Sequence, residues 1–409
     1  MQTQKFDVVI AGAGLAGLTL AMEMAERPFF RHHKILLIDR EEKVKNDRTW
    51  CFWAKDEEPI PPVIHKTWDN CRFFSHSDEI PMHIAPYRYH MVRGIDFYRH
   101  AAERISEHPG IQRLVAPITS IETSTGVVHT AQGSFQGNYV FNSALTSLPL
   151  LPPADARFPE PPLSRIAEMP KDPHYTWMLQ HFKGWVIETP EPTFDTNTAT
   201  FMDYRLEQKG ETRFMYVLPL SSRRALLEFT VFSNALCPAD EYDREIKGYI
   251  HNHLDIKEYT VAETEFGVIP MTDFPAKPLI DGRVISIGTV GGFVKPSSGY
   301  AFKRTQRKMR AFVDAWEKTG APDPDLFSSP KSFRMLDSIM LRVLRENLVP
   351  GDVLFSQLFR KLDAPHVFRF LDEDTTFAET LRLVMAPPTL PFTKAAWRQV
   401  GNWIRGYSV

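Results

Sequence analysis

The segment Gly12-Ala13-Gly14-Leu15-Ala16-Gly17 spaces three glycines as G-x-G-x-x-G, and an acid, Asp39, stands 22 positions after Gly17. Each residue type has a use in holding a dinucleotide. The first glycine permits a tight turn, the second lets the backbone approach a pyrophosphate, and the third lets a helix pack closely on a strand. The N-terminus of a helix starting there presents unpaired amides and partial positive charge to the anion. Asp39 is placed to accept hydrogen bonds from ribose hydroxyls. Six residues alone could equally be a structural glycine turn, so the flanking elements decide. Phe6-Asp-Val-Val-Ile-Ala11 reads as a strand, Leu15, Leu18, Met22 and Ala25 form a helical stripe, and Lys34-Ile-Leu-Leu-Ile38 is a second strand ending at Asp39. That order is the βαβ unit a dinucleotide site requires.

Metal chemistry has no comparable pattern. Cys51, Cys71 and Cys237 are isolated, and the 14 histidines show no H-E-x-x-H spacing. Three cysteines are too few for a disulfide framework, which fits a reducing compartment. The charges, 48 Lys+Arg against 50 Asp+Glu for a net of −2, are scattered and give no footprint for nucleic acid. Met1–Asp7 runs straight into a strand pattern, so no export signal is read. No run of eighteen apolar residues occurs, which excludes a spanning helix but leaves surface attachment open.

The 409 residues, 43% of them hydrophobic, allow two or three folding units. Gly126–Gly133 and Ser134–Gly137 read as a meander leading into the buried strand Tyr139–Ala144. This is similar to flavin-dependent dinucleotide domains, in which a meander replaces the second crossover helix, and it favours FAD over NAD. Pro149–Pro170 reads as a linker, since clustered prolines disfavour helix interiors and central strands. Four β-rich runs follow, His181–Ile187, Ala199–Tyr204, Arg213–Leu218 and Arg224–Phe232, and predict one antiparallel sheet. After a helix near Asp240–Leu254, the strand Arg283–Ile287 and the loop Gly288-Thr-Val-Gly291-Gly292 return to the first domain. From Tyr300 onward the pattern is helical. The 29 phenylalanines serve either an aromatic core or a large apolar ligand.

Several stretches, in order, resemble the bacterial FAD-dependent lycopene cyclases of carotenoid biosynthesis. They are Gly12–Gly17, Asp47-Arg-Thr-Trp-Cys-Phe-Trp53, Tyr89-His-Met-Val-Arg-Gly-Ile-Asp-Phe97, Leu179-Gln-His-Phe-Lys-Gly-Trp185, Phe201-Met-Asp-Tyr204, Leu226-Leu-Glu-Phe-Thr230, Gly267-Val-Ile-Pro-Met271 and Lys295-Pro-Ser-Ser-Gly-Tyr300. The resemblance implies an α/β fold with a Rossmann-like FAD-binding domain of the flavin hydroxylase type (1–150 and 270–310), an antiparallel β-sheet substrate domain (151–269) and a helical C-terminal region (311–409). It assigns Glu228 as the cyclising acid. Alternation along the strand puts Leu226, Glu228 and Thr230 on one side, and a carboxyl among apolar neighbours tends to stay protonated. A solvent-facing Glu on a half-exposed sheet is the other reading of the strand alone. Phe229 stands where a second acid often follows in the family.

To the cofactor the resemblance assigns Gly12, Gly14, Leu15, Ala16, Gly17, Asp39, Arg40, Gly288, Pro296, Gly299 and Tyr300, together with Arg48 and Arg93. Trp50, Phe52 and Trp53 are either site or core aromatics. The implied reaction converts the linear ends of lycopene, or a related linear carotenoid, to β-rings without net oxidation, with reduced FAD and with NAD(P)H as reductant. A cytoplasmic protein at the membrane surface follows, attached through Phe355, Leu358, Phe359, Phe368 and Phe370 beside Arg360, Lys361 and Arg369. A redox flavoenzyme, either a monooxygenase or an isoprenoid reductase, and a non-catalytic flavin- or carotenoid-binding protein share the same cofactor domain.

Overall fold

The computed structural model describes residues 3–60, 62–144, 174–276 and 278–404; the Pro149–Pro170 linker lies outside them. Strand β1 (Gln4–Ala11) is the centre of the first sheet, paired in parallel with β2 (Ile35–Asp39) on one side and β11 (Gly133–Asn142) on the other. Both its faces are covered, which is why it reads as a continuous apolar run. The sheet order is β17-β18-β11-β1-β2-β8, with β8 (Ile111–Val115), β17 (Leu279–Ile280) and β18 (Val284–Ser286) completing the path. β9 (Ile118–Glu122) and β10 (Val127–Thr130) form the expected meander with β11. Val9, Leu36 and Ile38 pack under that meander. Val8, Ile10 and Leu37 face α1 (Leu15–Ala25), which lies beside α2 (Gly94–Ser106).

The second sheet has seven strands in the order β16-β12-β15-β14-β13-β5-β6. β12 (Trp177–Glu188), β13 (Thr198–Asp203), β14 (Thr212–Ser221) and β15 (Arg224–Ser233) are the four β-rich runs seen in the sequence. Leu227, Phe229 and Val231 pack against α3 (Ala239–Leu254). The opposite face, with Leu226 and Phe232, meets a three-stranded sheet, β3 (Thr49–Lys55), β4 (Lys66–Trp68) and β7 (Tyr87–Arg93), and the C-terminal helices.

Two elements reach across the expected domain limits. β5 (Asn70–Phe74) and β6 (Glu79–Met82), within the stretch assigned to the cofactor domain, extend the second sheet, because β5 pairs in parallel with β13. This pairing is long-range and no local pattern announces it. The helix α4 (Phe302–Thr319) crosses the expected limit at 310 and packs on α1, where Gln306 Nε2 donates to Thr19 Oγ1 at 2.9 Å and Arg27 Nη2 meets Asp314 Oδ1 at 2.7 Å. It belongs with the dinucleotide unit.

The remaining helices are α5 (Lys331–Arg345), α6 (Gly351–Lys361), α7 (Ala364–Leu371), α8 (Phe377–Met385) and α9 (Thr389–Ile404). The phenylalanines expected to face a bilayer face inward instead. Phe359 packs on Phe73 and Phe368 stacks on Trp53 at 4.5 Å, while Leu358 and Phe370 are buried and Phe355 is half-buried beside Tyr204. The helical stripe carrying them is the one that covers the second sheet. Among the described residues no helix is long and apolar enough to cross a membrane.

Candidate active site

At the end of β1 the chain turns through Gly12 with φ of +104°, a conformation open to glycine. A Cβ at Gly17 would sit 1.9 Å from the Gly12 carbonyl oxygen, so only glycine lets α1 lie this close to the turn. Around Gly14, by contrast, a Cβ would meet nothing within 4 Å. The helix starting at Leu15 has no side-chain cap and no acid in its first turn. Its free amides therefore open onto space where an anion is favoured. Asp39 Oδ2 accepts from the Ala13 amide at 2.6 Å, which fixes the acid beside the turn, and Lys43 Nζ lies 3.3 Å from its other oxygen. Arg40 is exposed and pairs with Glu41.

The second loop comes to the same place. Gly288, with φ of +63°, lies against Ala16, where a Cβ would be 3.2 Å from the alanine methyl. Lys295, Pro296, Ser297, Ser298 and Gly299 then form a turn closed by the Gly299 amide on the Lys295 carbonyl at 2.9 Å. Gly299 presses on Gln180 of β12, whose Oε1 would touch a Cβ at 1.9 Å. Gln180 Oε1 and Ser298 Oγ are buried without a hydrogen-bond partner among the described residues. Buried polar atoms are nearly always satisfied, so this pair beside a glycine turn marks a place for a polar ligand group.

Tyr300 leads from that turn into the core. Its ring packs edge-on against Trp53 at 4.8 Å, and its hydroxyl lies near those of Tyr89 and Tyr216 without a well-directed bond. Burial raises the pKa of all three phenols, so they are neutral. Trp50 packs with Phe97, Tyr98 and Phe302, and Phe52 stacks on Phe302, so the aromatic stretch Trp50–Trp53 is core.

Beyond the tyrosines lies Glu228. In β-sheet register it stands between Tyr216 of β14 and Gly184 of β12, and Gly184 in turn stands opposite Glu265 of β16 (Thr260–Thr272). The row Tyr216, Glu228, Gly184, Glu265 therefore crosses four strands on one face. Glu228 Oε1 accepts from Thr230 Oγ1 at 2.9 Å, and Glu265 Oε2 accepts from Thr49 Oγ1 at 2.8 Å. Glu228 and Glu265 are half-buried, set deep among protein atoms, and Glu265 lines a cavity. Enclosure governs the charge. Burial, then the neighbouring Glu265, push the Glu228 pKa well above the usual carboxylate range, and burial also raises that of Glu265.

A cavity of about 230 Å3 opens beside the row. Its lining mixes apolar residues, Leu226, Val186 and Met91, with charged ones, Glu265, Glu263, Arg93 and Arg224. Arg93 is bound to Asp96 through Nε at 2.8 Å and Nη2 at 3.0 Å. The charge of Arg48 acts on Glu265 and on Tyr98. Arg93 thus lines the cavity, and Arg48 lies within electrostatic reach of Glu265. Glu265 itself was not legible as a site residue: nothing local distinguishes it from Glu263, and only the register across Gly184 brings it to Glu228.

A family profile described as "Lycopene cyclase protein" matches residues 7–397. The chain belongs to the lycopene cyclase family. Within it, the chain is 32% identical over 206 residues to the chloroplastic lycopene beta cyclase of Nicotiana tabacum, covering 46% of this chain and 39% of that protein. It is 24% identical to the lycopene beta-cyclase of Paracoccus sp., over 95% of this chain and 96% of the relative. The alignments thus span well under half of the tobacco cyclase but nearly all of the Paracoccus one. Among solved structures, a geranylgeranyl bacteriochlorophyll reductase-like protein from Thermoplasma acidophilum superposes with a TM-score of 0.61 at 12% identity, covering 97% of this chain and all of that one. The flavin-dependent brominase Bmp2 gives 0.56 at 12% identity, over 99% and 100% of the two chains. The cyclase family member therefore has the flavoprotein fold expected from its sequence, with mixed α/β sheets and a helical C-terminal region.

Proposed function

We propose that this chain is a lycopene beta-cyclase that closes β-rings at the linear ends of lycopene or a related linear carotenoid, by proton addition and loss without net oxidation. The observation carrying this reading is Glu228, an enclosed carboxyl on an apolar, aromatic-lined face. Protonated Glu228 gives its proton to C2 of the terminal C1=C2 alkene. The C5=C6 bond then closes on C1, and loss of the proton from C6 leaves the ring double bond. Between these events a tertiary cation needs a dry site with negative charge and aromatic faces, which Glu265, Tyr89, Tyr216 and Tyr300 offer. Water would trap it as an alcohol.

The open space at Gly14, the acid-free first turn of α1 and the orphaned Gln180 Oε1 and Ser298 Oγ suit FAD, with the pyrophosphate at Gly12–Gly17, the ribose at Asp39 and the flavin at Pro296–Gly299. Bound in its reduced, anionic form, with NAD(P)H as a reductant that is not consumed stoichiometrically, FAD would supply negative charge near the cation. Gly14→Asp has room for its side chain but sets a carboxylate at the helix N-terminus facing the pyrophosphate. Such a variant should fold with wild-type far-UV circular dichroism and lose FAD binding by about 10-fold or more, measured by flavin fluorescence titration.

The carotenoid dissolves in lipid, and a second apolar stripe suits a bilayer surface. Phe377, Leu381 and Met385 recur every four residues on α8 and are exposed, as are Leu390 and Trp397 on α9, with Arg382 and Lys394 nearby. On this reading the protein sits at the cytoplasmic face of the membrane. Leu390→Ser with Trp397→Ser should weaken co-sedimentation with anionic liposomes by about 10–100-fold; unchanged sedimentation would remove this surface from the account. The function itself is tested by supplying lycopene in liposomes with reduced FAD. A bicyclic or monocyclic product of unchanged mass supports it, and a product that has gained oxygen or hydrogen in step with reductant use points to a redox enzyme.

A further inference from the structure

We propose that Glu265 is a positioning residue for Glu228, the two carboxyl groups lying side by side over Gly184 and holding one proton between them. The inference deepens the cyclase reading and rests on it for its catalytic meaning. Its geometry stands separately. Glu228 and Glu265 belong to β15 and β16, strands that never pair with each other, and each lies opposite Gly184 on the strand between them. Residues in one register position project to the same face, so only the missing side chain at Gly184 leaves room for the two to approach. A Cβ there would come within 2.9 Å of Glu265 Cγ and 3.0 Å of its Oε1, and within 2.9 Å of Leu226 Cδ1. Glu265 therefore leans across β12 toward Glu228.

Two ionised carboxylates side by side repel, which favours one retained proton. The surroundings say where it sits. Glu265 has the Thr49 hydroxyl on Oε2 and the nearby charge of Arg48, partly opposed by Glu263. Glu228 has the Thr230 hydroxyl and otherwise faces neutral groups, Cys51 and Tyr216 among them. Glu265 Oε1 is buried and lacks any donor among the described residues. A proton on Glu228 supplies that donor, and Glu265 in return keeps the proton on the acid until the alkene takes it. When the proton has moved to carbon, the two carboxylates carry two negative charges facing one substrate cation. The proton released from C6 restores the pair, so the cycle begins and ends with one proton and needs no oxidant.

The test is infrared difference spectroscopy of the carboxylic C=O stretch across a pH titration of the full chain without carotenoid. The wild type should show one protonated carboxyl persisting above neutral pH, and Glu228→Gln should remove that band. Glu265→Gln should keep the band at low pH but lower its midpoint by about one pH unit or more, since a repelling charge and an acceptor are replaced by an amide donor. Gly184→Ala retains both carboxyls and displaces Glu265, and should move the midpoint in the same direction even if Glu265→Gln fails to fold. A midpoint unmoved by either variant overturns the pairing. Failure of the wild type to cyclise lycopene, with the midpoint shifted as described, overturns the functional reading and leaves the pair standing.

Discussion

Glu228→Gln is expected to abolish ring formation while leaving a folded protein. General acids contribute about 10^2–10^4-fold, and no other carboxyl on this face has both the enclosure and the tyrosine-lined side that Glu228 has, so the loss should fall in that range. Glutamine resembles the protonated acid in shape and hydrogen bonding, so packing is retained. The stability consequence has a definite sign. The Glu228 pKa is raised on folding, so the native state binds its proton more tightly than the unfolded chain does. The contribution of Glu228 to stability is therefore greatest at or below the unfolded value of about 4.3 and declines as pH rises toward the folded value. The variant lacks this titration, and its melting temperature relative to wild type should rise with pH across that window. Product analysis and a pH series of melting curves check the two halves; a variant that still cyclises at near wild-type rate would remove Glu228 from the mechanism. Activity limited by the protonated acid should likewise fall as pH rises through the raised pKa.

The second large effect is on stability. Lys295, at the start of the Lys295–Gly299 turn, is 1% exposed and its Nζ lies 2.8 Å from Asp337 Oδ2 on α5, itself 2% exposed. Ser297 Oγ donates to the other oxygen of Asp337 at 2.6 Å, and Glu373 approaches Lys295 at 3.4 Å while binding Arg304 at 2.6 Å. This cluster ties the Lys295–Gly299 turn to the C-terminal helices. Lys295→Met leaves Asp337 as a buried charge with one hydroxyl for company, and should cost about 3–5 kcal/mol, a large part of the usual 5–15 kcal/mol. Adding Asp337→Leu should restore most of the loss, because the penalty lies in the unpaired charge. Urea midpoints of the two variants decide; a double variant as unstable as the single one would contradict the ion-pair account.

These two sites differ in how far the sequence announces them. The βαβ unit was readable because its signals are local: an apolar run, three spaced glycines, a helical stripe and an acid lie within forty residues, and β1, α1 and β2 form as that pattern predicts. Glu228 was readable only as one of two faces of an alternating strand, and the resemblance chose between them. Its partner Glu265 lies 37 positions away on a strand joined to β15 only through β12, and a register one residue different would have turned it to the opposite face. The bilayer stripe failed for a related reason. Phe355 through Phe370 carry the expected helical spacing, but spacing states that a face is apolar and leaves open whether protein or lipid covers it. In this fold the second sheet covers it, and the exposed apolar residues lie further on, in α8 and α9.

The most direct test of the central claim is lycopene turnover in liposomes with reduced FAD under anaerobic conditions, run in parallel in H2O and D2O, with product mass and reductant consumption followed together. Proton addition at C2 from an exchangeable carboxyl and loss of the original hydrogen from C6 predict a product isomeric with lycopene in H2O, one deuterium per ring in D2O, and no stoichiometric use of reductant. A ring product without deuterium, or a product whose mass in H2O differs from that of lycopene, would contradict it.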